Sequence, residues 1–177
     1  MAKATKTTRL VMAAVLLAIG MVLPFLTGQI PEIGSKISPL HLPVLICGFV
    51  CGWQYGLAVG FILPLLRSLT FGMPPLMPTA AAMAVEMAVY GLVTGLIYQK
   101  LPKKMSSVYI ALIGAMLCGR VAWGLASVLL YGVAGTGKAF TLPMFLAGAF
   151  VNAVPAIIIQ LVLVPVIVSA LKKAKVF

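Results

Sequence analysis

The sequence predicts an all-α integral membrane protein with six transmembrane helices, one domain over residues 1–177 and both termini cytoplasmic. Three observations carry that prediction. The chain is 63% hydrophobic and only 8% charged, whereas roughly a quarter of the residues of an ordinary soluble domain are charged. Its apolar runs approach the ~20 residues that cross a bilayer as a helix. Its basic residues, 13 Lys and Arg against Glu32 and Glu86 for a net charge of +11, gather at the ends of those runs.

The first run, about Arg9 to Thr27, follows Lys3 and Lys6. It lacks a small-residue cleavage site before polar sequence, so it reads as a retained helix rather than a signal peptide. After a loop from Gly28 to Ser38 come two short segments, about Pro39 to Trp53 and Gly56 to Phe71. These read as two thin spans or as a re-entrant hairpin. Either choice returns the chain to the same side. A proline-rich turn, Phe71 to Pro78, leads to a fourth segment, Thr79 to Gln99, which ends in the basic turn Lys100 to Lys104. The fifth covers about Ser106 to Gly132, and a glycine-rich loop precedes the sixth, about Leu142 to Leu171.

With the termini inside, one side collects Lys3, Lys6, Arg9, Lys100, Lys103, Lys104, Lys172, Lys173 and Lys175, and the other only Lys36 and Lys138. That asymmetry is what the positive-inside rule describes, so the basic balance marks orientation in a cell membrane and not nucleic-acid binding. Cys47, Cys51 and Cys118 all fall in apolar segments, with neither a zinc spacing nor a disulfide framework. They read as packing residues.

Arg67, Glu86 and Arg120 lie inside apolar runs. A charge there costs ~3 kcal/mol on insertion scales and normally faces a cavity or a partner. Glu86 lies seven residues inward from Thr79, about 10 Å down a helix. Asn152 falls about ten residues into the sixth segment and Arg120 near the middle of the fifth, which together describe an outward-facing pocket. A structural ion-pair network is the rival reading of the three charges. On the fourth helix Thr79, Met83, Glu86 and Tyr90 share a face, as Arg120, Trp123, Ser127 and Tyr131 do on the fifth. Such a mixture of charge, hydroxyl and aromatic groups suits an amphipathic ligand. His41, the one histidine, opens the second segment and reads more readily as an interfacial or loop-bonding residue than as a ligand contact.

Small-residue pairs recur at Ala14/Ala18, Gly48/Gly52, Gly56/Gly60 and Gly91/Gly95. This spacing lets helix backbones approach closely, and the glycine pairs read as internal packing. There is no Asp, no phosphate-binding loop, no HExxH and no Ser/His/acid set. The chain therefore reads as a non-enzyme without cofactor or metal, and uphill transport would need an ion gradient or partner protein.

The Ala14/Ala18 pair and the run from Ile37 to Tyr98, with its LHLPVL segment, spaced glycines, GMPP turn and Glu86 helix, resemble the S components of energy-coupling factor (ECF) vitamin transporters. That resemblance spans the whole chain. It implies a subunit that binds a vitamin near the outer surface under the loops after helices one and three. The subunit would dock to a membrane coupling subunit carrying two ABC-type ATPases, and topple in the bilayer to deliver its ligand. It also assigns Ala14 and Ala18 to the coupling-subunit contact. The candidate ligand-binding residues are His41, Arg67, Glu86, Tyr90, Arg120, Trp123 and Asn152. Two intramembrane arginines against one glutamate favour an anion, which makes pantothenate the first choice; riboflavin, folate, pyridoxine and a thiamine-precursor pyrimidine stay open. The competing class is a stand-alone secondary transporter or small channel with Glu86 as proton carrier.

Overall fold

A computed structural model describes residues 5–27, 38–133 and 140–174. Most of the loop from Gly28, the glycine-rich loop before the sixth segment, and Lys3, Glu32, Lys36, Lys138 and Lys175 lie outside them. The described residues form helices joined by short turns, with no strand. The six principal helices are α1 (Lys6–Val22), α2 (His41–Cys51), α3 (Trp53–Phe71), α4 (Ala81–Lys100), α5 (Met105–Val133) and α6 (Val154–Lys173). Five apolar segments are long enough to cross a bilayer: Lys6–Phe25, Trp53–Phe71, Leu76–Lys100, Met105–Gly132 and Leu142–Lys173. The chain is thus a multi-pass membrane protein.

The second and third segments differ from each other more than their sequences predict. α3 runs for 19 residues and is long and apolar enough to span on its own. α2 has 11 residues, about 16 Å of helix against ~30 Å of hydrocarbon. The joint between them is Gly52, whose φ of +97° is open to glycine and strained for a side chain. That one residue ends α2 and starts α3 with no room for a loop.

The sixth segment is also broken. A short helix, Leu142–Leu146, runs into a wide turn at Ala147–Val151, where Asn152 N–H bonds the Ala147 carbonyl at 2.8 Å. α6 then begins afresh with Pro155 in its first turn, where a proline without an N–H is tolerated.

Contacts between helix ends fix the directions. Tyr55 Oη donates to the Lys6 carbonyl, and Arg67 Nη1 donates to the Met21 carbonyl, so α1 and α3 run parallel. The end of α4 meets the α2–α3 joint, where a Cβ on Gly95 would touch the Trp53 backbone, and beside it Lys172 Nζ donates to the Lys103 carbonyl and Lys103 Nζ to the Tyr98 carbonyl. The start of α1, the α2–α3 joint, the α4–α5 turn and the end of α6 therefore share one end. Lys6, Arg9, Lys100, Lys103, Lys104, Lys172 and Lys173 gather there, while among the described residues the opposite end carries only Arg67, beside the last turn of α1. Within this basic end, burial and then the neighbouring Lys172 hold the Lys103 ammonium below the usual lysine range.

The glycine pairs do pack internally. A Cβ on Gly91 would stand 2.1 Å from the Gly56 carbonyl oxygen, and one on Gly60 would stand 2.2 Å from that of Met87. Backbone thus meets backbone between α3 and α4. Around that seam the apolar core gathers Leu45, Leu63, Met87, Tyr90, Leu112 and Val164. Outward faces stay apolar, as lipid requires: Leu69, Leu129 and Val151 are among the most exposed side chains.

Candidate functional site

Three helices bring ionisable side chains to one buried point. Arg120 of α5 places Nη1 2.9 Å from Glu86 Oε1 on α4, and His41 of α2 places Nε2 3.7 Å from Glu86 Oε2. Tyr90, one turn along α4 from Glu86, sets its ring edge-on to the imidazole with centroids 5.2 Å apart. His41, Glu86 and Tyr90 are each 2% exposed or less, and Arg120 is 8% exposed.

Local sequence explains the convergence. Glu86 and Tyr90 lie four apart and share a helix face. Gly119, beside Arg120, leaves space for the Tyr90 ring, whose edge a Cβ at 119 would meet at 2.1 Å. α5 can therefore approach α4 closely enough for Arg120 to reach the carboxylate. His41 enters because α2 starts inside the bundle, with its backbone N–H on the Ser38 carbonyl at 3.1 Å. The interfacial reading of His41 is thus corrected: the residue is buried against Glu86.

The group is rich in hydrogen-bonding capacity that the protein leaves unused. His41 Nδ1 and Arg120 Nε and Nη2 are buried without a hydrogen-bond partner, and His41 Nε2 and Tyr90 Oη face Glu86 without a well-formed hydrogen bond. Glu86 Oε1 makes a charge contact with Arg120 but accepts no directed hydrogen bond. Buried polar groups are normally paired, and each exception calls for an explanation. A polar ligand seated among them would supply the missing partners.

Arg67 stands apart from this group. Its guanidinium lies 5.1 Å from the ring centres of both Phe25 and Phe71, and Nη1 donates to the Met21 carbonyl. A cation at the end of α1 also meets the negative pole of that helix. The three-charge network is corrected accordingly: Glu86 pairs with Arg120 and His41, while Arg67 is balanced by aromatic faces and a carbonyl. The case for an anion can no longer rest on two arginines sharing one carboxylate, and rests instead on the spare donors of Arg120.

Trp123 joins an aromatic cluster rather than the charged group. It stacks on Phe145 at 6.2 Å and meets Phe140 edge-on at 5.4 Å. Beside that cluster an apolar groove of ≈ 390 Å³ runs between α5 and the 142–146 helix, lined by Val121, Leu125, Val128 and Phe145 among others. Its lining is apolar but for Thr141, with no charged side chain to orient a polar ligand, so the charged cluster is the stronger binding candidate. Asn152 is exposed in the turn before α6. Ala14 and Ala18 are exposed on the outer face of α1, with Val11, Val15 and Val22 beside them.

Two further polar residues, Thr94 and Gln160, are fully buried with unpartnered side-chain atoms. Gln160 did carry a signal in the sequence, as a single amide within the apolar run Ile157 to Val164. Thr94 was hidden inside the Gly91/Gly95 packing pattern. Among the described residues, no group of three or more His, Cys, Asp or Glu is placed to hold a metal ion.

No curated protein and no solved structure matches the chain significantly. The family model for the ECF transporter, substrate-specific component, matches residues 8–168. With a multi-pass helical bundle and a match over nearly its whole length, the chain belongs to the family of substrate-specific components of ECF transporters.

Proposed function

We propose that this subunit binds a vitamin at the His41–Glu86–Tyr90–Arg120 cluster and delivers it through an ECF importer of the cell membrane. The observation that supports this most is the set of unpartnered donors converging on one ion pair, 2.9 Å across and shielded from solvent. Pantothenate is the first candidate. Its carboxylate suits the free Nε and Nη2 of Arg120, a geometry guanidinium groups recognise with two hydrogen bonds.

Partners follow from the same reading. A coupling subunit would dock on the exposed Ala14/Ala18 face of α1, and two ABC-type ATPases would supply the energy, the chain itself carrying out no catalysis. The basic end of the bundle, with both termini, would face the cytoplasm, and the cluster would open toward the other side.

The direct test is mass spectrometry of small molecules released from gently purified protein, followed by vitamin uptake in proteoliposomes. A stoichiometric vitamin, and uptake only when the coupling subunit, ATPases and ATP are all present, is the expected result. Uptake by the chain alone, driven by a proton gradient, would establish the secondary-transporter reading instead.

A further inference from the structure

Gln160 sits about two turns into α6 at 0% exposure, and neither its amide oxygen nor its amide nitrogen has a hydrogen-bond partner. Lipid offers such a group nothing, and leaving it unpaired destabilises the empty protein. Its depth matches the charged cluster. Lys172 lies twelve residues further along α6, about 18 Å at the helical rise, and its ammonium bonds the Lys103 carbonyl. Lys103 in turn bonds the Tyr98 carbonyl, and Glu86 precedes Tyr98 by the same twelve residues, again about 18 Å. α6 packs against α2 and α5, the helices that carry His41 and Arg120.

We infer that Gln160 is a further ligand-contacting residue of this site, reading an uncharged substrate group of amide type that supplies both a donor and an acceptor. The inference rests on the vitamin-binding reading above, with the charged end of the ligand at Arg120 and its amide at Gln160. A carboxamide offers two donors and two acceptor positions at one planar end, so a ligand amide carbonyl together with the hydroxyl on the carbon beside it can satisfy both orphaned atoms, the N–H of a trans amide pointing the other way. The empty site stays unsatisfied, and occupancy removes the penalty.

The test uses the full chain in detergent, with pantothenate and pantothenol, in which a neutral hydroxymethyl group replaces the carboxylate. Thermal stability and affinity are measured for wild type, Gln160→Met and Gln160→Asn. Gln160→Met should match or exceed the wild-type Tm without ligand, yet bind both compounds at least tenfold more weakly and by a similar factor. Unchanged affinity with a raised Tm would make Gln160 an orphan of the core and overturn the inference. A penalty seen with pantothenate but not pantothenol would overturn the assigned substrate group. Should Gln160→Met fail to fold, Gln160→Asn decides: weakened binding supports the inference and wild-type binding overturns it. A wild-type protein that binds neither compound overturns the pantothenate reading and the inference with it, whereas binding by wild type and variants alike sinks the inference alone.

Discussion

Arg120 Nη1 and Glu86 Oε1 stand 2.9 Å apart across the α4–α5 interface, both side chains withdrawn from solvent. A buried pair of this kind holds together because neither member tolerates the loss of the other. Its net worth against a well-packed apolar pair is small, so its persistence points to use rather than to stability alone.

Removing one member should therefore be worse than removing both. Arg120→Met leaves Glu86 with only His41 beside it, at a cost of up to about 3–5 kcal/mol, and should abolish ligand binding. Glu86→Gln with Arg120→Met should recover most of the thermal stability while binding stays lost. If the double variant binds as wild type does, the cluster is structural and the site lies elsewhere.

The seam between α3 and α4 admits no side chain at Gly91, where a Cβ would fall 2.1 Å from the Gly56 carbonyl oxygen. Gly91→Val should cost at least the roughly 1–3 kcal/mol of ordinary overpacking, because the obstacle is backbone. Gly132, with nothing within 4 Å of its Cβ position, is the control. Gly132→Ala should leave the melting temperature unmoved, and comparable losses at both positions would argue against the close approach.

Arg67 is expected to hold α1 to α3 rather than to touch ligand. Arg67→Met forfeits the bond to the Met21 carbonyl and the contacts with Phe25 and Phe71, together about 2–3 kcal/mol. Arg67→Lys should not restore it, since a compact ammonium lacks the broad guanidinium that reaches both rings and the Met21 carbonyl at once. Hydrogen exchange over Met21 to Phe25 should quicken in both variants. A loss of ligand affinity without faster exchange would return Arg67 to the pocket.

Ala14→Trp should block assembly while sparing the ligand site. Ala14 is exposed on α1, and a bulky ring would prevent close helix approach by a coupling subunit. Co-purification with the coupling subunit should be lost, with ligand affinity within about twofold of wild type. Equal loss of both would place the effect in folding.

The sequence by itself determined the membrane class, the number of helical segments and the ends where lysines gather, because hydrocarbon selects apolar runs of fixed length and excludes charge from them. It also identified the packing glycines and the intramembrane charges, since each is conspicuous in an apolar run. Which charges meet was decided only by the tertiary structure. Arg67, Glu86 and Arg120 look alike in the sequence. The direction of α3 beside α1 carries Arg67 to Phe25 and Phe71, while the Gly119–Tyr90 contact draws Arg120 to Glu86. His41 joined them because α2 is too short to span and begins inside the bundle. Partner choice depends on crossing geometry and depth between helices distant in the chain, and no local spacing encodes either.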